Sequence, residues 1–156
     1  MNNRRKMLSR SAQVAAALVA AGWLPQVALA QQAGAWNKAA FDAKSMDELM
    51  KALGSSAPAE SKDVTLTAPD IAENGAVVPV AVATTLPGVK KLLLLVEKNP
   101  SLLSAAFDVT DSVEANFGTR VKMGQTSNVF AVAITADGKA LFAQKEVKVT
   151  LGGCGG

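Results

Sequence analysis

The residue of this 156-residue chain best suited to covalent chemistry is its single cysteine, Cys154. It lies in a glycine-flanked C-terminal segment, Gly152-Gly153-Cys154-Gly155-Gly156. Because glycine has no β-carbon, this segment has the narrowest cross-section and the widest backbone freedom available to a polypeptide. Five residues extend at most about 17 Å, far enough to carry a thiol into a narrow channel of another protein. We therefore predict a flexible arm whose working group is the Cys154 thiol.

Alternative roles for Cys154 fit the sequence less well. A frayed terminus is often glycine-rich, but an exposed thiol outside the cytoplasm is prone to oxidation and unwanted pairing. Bacterial lipid anchors place cysteine just after the signal, and a prenyl site leaves three residues after its cysteine, where this chain leaves two. An intermolecular disulfide remains an open alternative.

The chain contains no histidine, which excludes several kinds of active site. A Ser-His or Cys-His nucleophile pair, an imidazole general base and a His-based metal site are all impossible. Cysteines become reactive beside cations, metals or helix N-termini, whereas the fixed charge nearest to Cys154 in sequence is the C-terminal carboxylate. We expect a thiol on which other enzymes act, with no catalytic residue, no metal and no intrinsic cofactor in this chain.

Residues 1–30 have the composition of a cleaved export signal. A basic start is followed by an almost uncharged apolar stretch over 12–24 and by the small-residue cleavage pattern Ala28-Leu29-Ala30. The apolar run is shorter than the roughly 18 to 20 residues of a spanning helix, so we expect no membrane anchor after cleavage. The adjacent pair Arg4-Arg5 favours the twin-arginine route, which transports folded proteins. A periplasmic location follows.

Removal of this leader reverses the sign of the net charge. The leader holds four of the 16 Lys and Arg and none of the 13 Asp and Glu, which leaves 12 basic and 13 acidic residues and a net charge of −1. A basic chain would suggest nucleic acid or anionic lipid as a partner, but the mature chain has no basic stripe with interleaved aromatics. We expect no nucleic-acid partner.

Residues 31–61 are predicted to form an N-terminal helical segment and a linker. Apolar residues follow the helical repeat from Trp36 to Leu53, and Gly54 is a natural C-terminal stop. Ser45-Met46-Asp47-Glu48 has the form of a capping box, so the region is either one helix or two short helices that meet near Lys44. Residues 55–61 have the composition of a linker.

From residue 62 to residue 151 the pattern changes to short apolar or alternating runs separated by turn residues. The predicted strands lie near 64–68, 76–84, 91–97, 102–109, 117–123, 128–136 and 140–151. About seven strands at this spacing favour an immunoglobulin-like antiparallel β-sandwich, with a small barrel as the alternative. The predicted fold is mainly β, with the helical segment at its N-terminal side and the flexible arm, residues 152–156, at its C-terminus.

Three local features refine the strand prediction. Asp137-Gly138 lies between two alternating strands and favours the positive φ angles of a tight hairpin turn. Pro79 cannot donate to a strand ladder, which indicates an edge or a bulge. In the last strand the apolar face comprises residues 147, 149 and 151, so the packed strand is predicted to end at Leu151.

Four stretches of the sequence resemble the SoxY family, the sulfur-carrier subunit of the bacterial thiosulfate-oxidising system. They are the terminal Gly-Gly-Cys-Gly-Gly and residues Ile71–Val80, Glu97–Pro100 and Arg120–Ser127. The resemblance extends over essentially the whole chain, including the leader. It implies that Cys154 bears the substrate covalently in the periplasm and that this chain catalyses no step itself.

The resemblance also implies a set of partners. Haem-containing SoxAX joins thiosulfate to the Cys154 thiol oxidatively as an S-thiosulfonate, and dimanganese SoxB removes the outer sulfone as sulfate. Where present, SoxCD, a molybdenum and haem enzyme, oxidises the remaining sulfane sulfur, and a second hydrolysis frees the thiol. SoxZ, a small β-sandwich without a signal, forms a heterodimer with the carrier and is exported alongside it.

Two other functions stay open at this point, a thiol-dependent sulfurtransferase and a plain exported structural β-sandwich. The stretch Ile71–Val80 is either a simple hairpin around Asn74-Gly75 or part of the SoxZ interface or of a partner-docking surface. Thr126 and Ser127 are expected to be turn residues rather than ligands.

Overall fold

The computed structural model describes residues 37–151. The predicted signal peptide over 1–30 lies outside the described residues. Within residues 37–151, no helix has the length and apolarity needed to cross a membrane.

Two short helices precede nine strands in the described part of the chain. The helices are α1 (Lys38–Asp42) and α2 (Met46–Leu53). The strands are β1 (Ala59–Glu60), β2 (Val64–Thr67), β3 (Ile71–Ala72), β4 (Val78–Thr84), β5 (Val89–Val96), β6 (Leu103–Asp108), β7 (Asn116–Val121), β8 (Ser127–Thr135) and β9 (Ala140–Val149).

The helical region breaks where its capping box predicts. Ser45 Oγ accepts a hydrogen bond from the Glu48 backbone N–H at 3.2 Å, and the Glu48 carboxylate accepts one from the Lys44 backbone N–H at 2.9 Å. Gly54 ends α2 in the left-handed conformation, with φ at 67°, and its N–H donates to the Lys51 carbonyl. Two helices that meet near Lys44 are therefore confirmed, because satisfied N–H and C=O groups mark each end of α2.

The strands form the two sheets of an immunoglobulin-like β-sandwich. The larger sheet has the order β1-β9-β8-β5-β6, with β3 also paired to β9, and the smaller has the order β2-β4-β7. All seven predicted strands are present with ends within two residues of the prediction. The two-residue strands β1 and β3, which pair with β9 in parallel, were not predicted. β1 lies inside the predicted linker, because a pair of residues has no periodicity to read.

The main core fills the space between the two sheets. It contains inward-facing side chains of β4, β5 and β8, which alternate along each strand with residues that face the other way. The large, fully buried side chains that these three strands contribute are Val78, Val82, Leu92, Leu94, Val96 and Val129.

A second apolar layer covers the opposite face of the larger sheet. Leu93 and Leu95 of β5 pack in one cluster with Leu49 and Met50 of α2. All five residues from Leu92 to Val96 are consequently fully buried. The unbroken apolar run therefore reflects a strand covered on both faces, by the smaller sheet on one side and by the helices on the other.

The predicted hairpin at Asp137-Gly138 is confirmed, with a positive φ of 80° at Gly138. The Gly138 N–H donates to the Thr135 carbonyl, and Thr135 and Lys139 close the turn through a second backbone hydrogen bond. The Asp137 carboxylate accepts hydrogen bonds from the Lys139 ammonium, at 2.9 Å, and from the Thr135 hydroxyl. These bonds, the one from Lys139 first, lower the pKa of Asp137 to about 2.

Pro79 occupies the local edge that its chemistry requires. β4 is the central strand of the smaller sheet, but its pairing with β2 ends at Ala81. Pro79 is therefore paired with Arg120 of β7 alone. On its other side no strand residue lies opposite, so the missing N–H of proline breaks no hydrogen bond to β2.

Because β5 is buried on both faces, we expect Leu93→Ala and Leu94→Ala to destabilise the protein by similar amounts. Each should lower the free energy of unfolding by about 2 to 5 kcal/mol through lost burial and a residual cavity. The exposed Lys90→Ala should change it by less than about 0.5 kcal/mol. Urea unfolding followed by circular dichroism measures all three variants. A small effect at Leu93 beside a large one at Leu94 would contradict the packing of α2 on the sheet.

Candidate functional site

The predicted site residue Cys154 and its neighbours Gly152, Gly153, Gly155 and Gly156 lie outside the described residues. The described chain ends at Leu151, three residues before the cysteine. We call residues 148–151 the arm root, because they are the described residues that immediately precede the predicted arm.

Hydrogen bonds hold the arm root beyond the end of the strand. The predicted strand end at Leu151 is wrong by two residues, since β9 ends at Val149. Val147 is fully buried, but the side chain of Leu151 is 69 % exposed, so it does not extend the packed face. Backbone hydrogen bonds to residues 70–75 nonetheless continue through Leu151. They are Lys148 N–H to the Asp70 carbonyl at 2.9 Å, Thr150 N–H to the Ala72 carbonyl at 3.1 Å and Gly75 N–H to the Leu151 carbonyl at 2.7 Å.

Two threonine hydroxyls add to these backbone bonds. The Thr150 hydroxyl donates to the Glu73 carbonyl at 3.1 Å. On the other edge of the root, Thr126 Oγ1 accepts a hydrogen bond from the Val149 N–H at 3.0 Å. Pairing of β8 with β9 ends at Ser127. The Thr126 hydroxyl therefore accepts the hydrogen bond that a β8 carbonyl would accept if the ladder continued. Both edges of the arm root are thus held.

The turn at 73–75 connects the arm root to the loop between β7 and β8. While the Gly75 N–H binds the root, the Gly75 carbonyl accepts a hydrogen bond from the Met123 N–H at 2.7 Å. The Asn74 side chain accepts one from the Ala76 N–H at 2.8 Å and so shapes the turn. The simple-hairpin interpretation of Ile71–Val80 is wrong, because β3 pairs with β9 and not with β4.

Residues 97–100 and 120–127, the other two stretches of the resemblance, are joined to each other by hydrogen bonds. Ser127, which is 2 % exposed, accepts a hydrogen bond from the Lys98 N–H through its hydroxyl at 3.1 Å. The Asn99 side chain donates to the Lys122 carbonyl at 2.8 Å. Thr126 lies in the bend before β8, as predicted, whereas Ser127 is the first residue of β8 and not a turn residue. Each fixes a second segment, a role that sequence reasoning missed. The signal that could have found it is their position within one of the four resembling stretches.

Exposed apolar side chains surround the arm root. Among residues 37–151, the exposed large hydrophobic residues are Ile71, Val77, Val113 and Leu151. Leu151 belongs to the root, Ile71 to the segment hydrogen-bonded to it, and Val77 follows that segment by two residues, with its N–H donating to the Asn74 carbonyl. We call these three the apolar collar. Exposed apolar groups concentrated at one place are typical of a protein interaction site.

An ion pair holds the start of β3 against β9. The Lys145 ammonium lies 2.9 Å from the Asp70 carboxylate and donates to the Ala68 carbonyl at 2.6 Å. The hydrogen bond from Lys145 is the main reason that the pKa of Asp70 falls below its ordinary value of 3.8, and Lys148 adds a smaller contribution. No cluster of His, Cys, Asp and Glu suited to a metal ion occurs between residues 37 and 151.

This fold and site define an immunoglobulin-like β-sandwich whose last strand, held on both edges, leads into a glycine-cysteine terminus. A family model described as sulfur oxidation protein SoxY matches residues 49–154. The chain belongs to the SoxY family.

One solved structure supports this assignment, and a second shares the fold. The sulfur carrier protein SoxY from Chlorobium limicola f thiosulfatophilum is 38 % identical, with a TM-score of 0.60, over 67 % of this chain and 94 % of that one. A substituted form of superoxide reductase (neelaredoxin) from Ignicoccus hospitalis is 16 % identical, with a TM-score of 0.50, over 55 % of this chain and 78 % of that one. At that identity only the fold is shared. The comparison with curated proteins finds no match.

We expect the Asp70 carboxyl to titrate below its ordinary pKa in the native protein and to move back towards it in Lys145→Met. A depressed pKa means that the ion pair stabilises the fold at pH values above the unfolded pKa and that this contribution disappears as the pH falls through the folded value. NMR titration of the carboxyl carbon measures the shift. Lys148→Met should produce a smaller change, and an Asp70 midpoint that ignores Lys145→Met would contradict the ion pair.

Proposed function

We propose that this protein is a periplasmic sulfur carrier that holds thiosulfate-derived sulfur covalently on Cys154 and presents it to partner enzymes. One observation carries this proposal: the match to the SoxY family model ends at Cys154 itself. The similar structure from Chlorobium is that of a sulfur carrier protein, which supports the same role.

The reaction cycle on Cys154 requires no group of this chain other than the thiol. In the first step, Sγ bonds to the sulfane sulfur of thiosulfate, while the thiol proton goes to solvent and two electrons go, one at a time, to the haem-containing oxidising partner. In the second step, water attacks the outer sulfur and the bond between the two thiosulfate sulfurs breaks. Sulfate leaves, and a persulfide stays on Cys154.

The cycle then returns to the thiol. Oxidation of the persulfide to a Cys154 S-sulfonate consumes three water molecules and delivers six electrons to a molybdenum and haem enzyme. A second hydrolysis releases sulfate and restores the thiol. This chain supplies the attachment point, and the partners supply the oxidants and the hydrolytic metals.

The position of the arm root supports transfer into a channel of the partner. Cys154 is the third residue after Leu151, so the Cα atoms of the two are at most about 11 Å apart in a fully extended chain. A partner that reaches Sγ must therefore approach within this distance of the root and of the apolar collar, where exposed side chains can be buried on contact. The four glycines keep the inserted segment narrow.

The proposed partners are those that the family resemblance implies. SoxZ forms the heterodimer, and SoxAX, SoxB and, where present, SoxCD act on the arm in turn. Twin-arginine export of a folded pair explains how a partner without a signal reaches the periplasm.

We expect Cys154→Ser to abolish thiosulfate oxidation by the reconstituted system while leaving the fold intact, because a serine hydroxyl cannot form the S–S bond. Activity is measured with the partner enzymes present, and folding by circular dichroism. Intact-mass spectrometry of protein from thiosulfate-grown cells should find sulfur adducts confined to the C-terminal peptide of the native chain.

Different outcomes of that experiment point to different functions. Oxidation retained in Cys154→Ser would overturn the carrier role. Loss of the β-sheet signal would indicate a structural cysteine. Turnover of thiosulfate by the isolated native chain would indicate a sulfurtransferase.

We expect Gly153→Val to slow thiosulfate oxidation, by up to about a hundredfold, because a branched side chain widens the segment and misplaces the sulfur. The control is Ala136→Val, which adds similar bulk at an exposed position of the β8–β9 hairpin. Initial rates with saturating partner enzymes measure both variants. Equal rates for Gly153→Val and Ala136→Val would show that no narrow channel is entered.

A further inference from the structure

The strongest unassigned feature of the described chain is the set of hydrogen bonds that converge on the arm root. Chain ends ordinarily fray, and exposed hydrogen bonds at the end of a strand open most easily. Here the last four described residues before the arm are bonded on both edges. Thr150 is an exposed residue, so its hydroxyl is not needed to satisfy a buried group.

We propose that Thr126, Thr150 and the turn at 73–75 form a clamp that positions the arm root and thereby limits the volume that Cys154 can reach. Thr126 and Thr150 are positioning residues in this proposal, which rests on the carrier role of Cys154 for its functional meaning. The clamp itself is a property of the sandwich and exists whether or not sulfur is bound.

The two edges of the root divide the work of the clamp. On the β3 edge, the N–H groups of Lys148 and Thr150 donate to carbonyls of residues 70 and 72. On the β8 edge, the Val149 N–H has no strand partner and donates to the Thr126 hydroxyl. The Thr150 hydroxyl, bonded to the Glu73 carbonyl, joins the root to the turn, whose Gly75 N–H binds the Leu151 carbonyl.

The turn in turn has a fixed support. The Gly75 carbonyl binds the Met123 N–H in the loop between β7 and β8, and Met123 is fully buried in the main core. The same loop ends in Thr126, which holds the other edge of the root. A continuous path of hydrogen bonds therefore connects the core to both edges of the arm root.

Opening the clamp would lengthen the arm. With the clamp closed, the Leu151 carbonyl is the last one hydrogen-bonded among the described residues, and Cys154 is the third residue after it. If residues 149–151 were released, the free segment would begin at Val149 and comprise six residues up to Cys154. The root-mean-square spread of a flexible chain grows with the square root of its length, so this doubling would widen the range of Cys154 about 1.4-fold. The effective concentration of the thiol in a partner's channel would fall about threefold.

The test measures the distance from Cys154 to the body of the sandwich. A nitroxide is attached to Cys154 and a second to Lys62→Cys, an exposed position between β1 and β2. Pulsed electron–electron double resonance then gives the distribution of distances between the two nitroxides. In the Thr126→Val/Thr150→Val variant, which keeps β-branched side chains but removes both hydroxyls, the distribution should widen by up to about 1.4-fold, the value for full release of residues 149–151. The Thr126→Ser/Thr150→Ser variant should restore the native width.

A control separates positioning from general stability. Ile134→Val loosens the core cluster under the helices without touching the root, and it should leave the width unchanged. If the double valine variant does not fold, Thr150→Val alone carries the test, because Thr150 is exposed.

The proposal is overturned if the valine variant keeps the native width or if the serine variant widens as much as the valine variant. An equal widening in Ile134→Val would also overturn it. The distances are measured without thiosulfate or partner enzymes. A failure of the carrier role, detected with Cys154→Ser, is therefore distinguishable from a failure of the clamp.

Discussion

Hydrogen bonds along both edges of β9 determine where the C-terminal arm begins. Antiparallel pairing with β8 covers one edge, and the short parallel strands β1 and β3 cover parts of the other. An uncovered edge would leave backbone groups free to pair with other chains. Past the end of the ladder, the Thr126 hydroxyl and the turn at 73–75 replace strand partners. The predicted arm consequently follows a segment that hydrogen bonds hold on both edges.

Apolar packing on both faces of the larger sheet holds β9 in place. The run Leu92–Val96 is buried between the smaller sheet and α2, and β8 lies beside it in the larger sheet. β9 pairs directly with β8, so the core that fixes β5 also fixes the strand that carries the arm. A chain with one cysteine has no intramolecular disulfide, and these apolar contacts therefore supply the stability that many small exported domains obtain from cross-links.

Features with a local physical cause were predictable. The Ser45 capping box, the Gly54 helix stop and the Asp137-Gly138 turn each depend on a few adjacent residues, and the structure confirms all three. Alternating or unbroken apolar runs between turn residues located seven strands, because a half-buried strand has a period of two and a strand buried on both faces is apolar throughout. The prediction failed at Leu151, where alternation continued but the opposing sheet did not, and it missed β1 and β3, which exist only through pairing with a distant strand.

The sequence by itself determined the membership of the chain in the SoxY family, the lone cysteine between glycines and the order of helices and strands. These properties are written in residue types and short spacings. Only the tertiary structure decided that the stretches around residues 71–80, 97–100 and 120–127 meet at one end of the sandwich and that two of them hold the arm root. The hydrogen bonds that join them link residues far apart in the chain, such as Gly75 to Leu151 and Gly75 to Met123, and such bonds leave no periodic trace in the sequence.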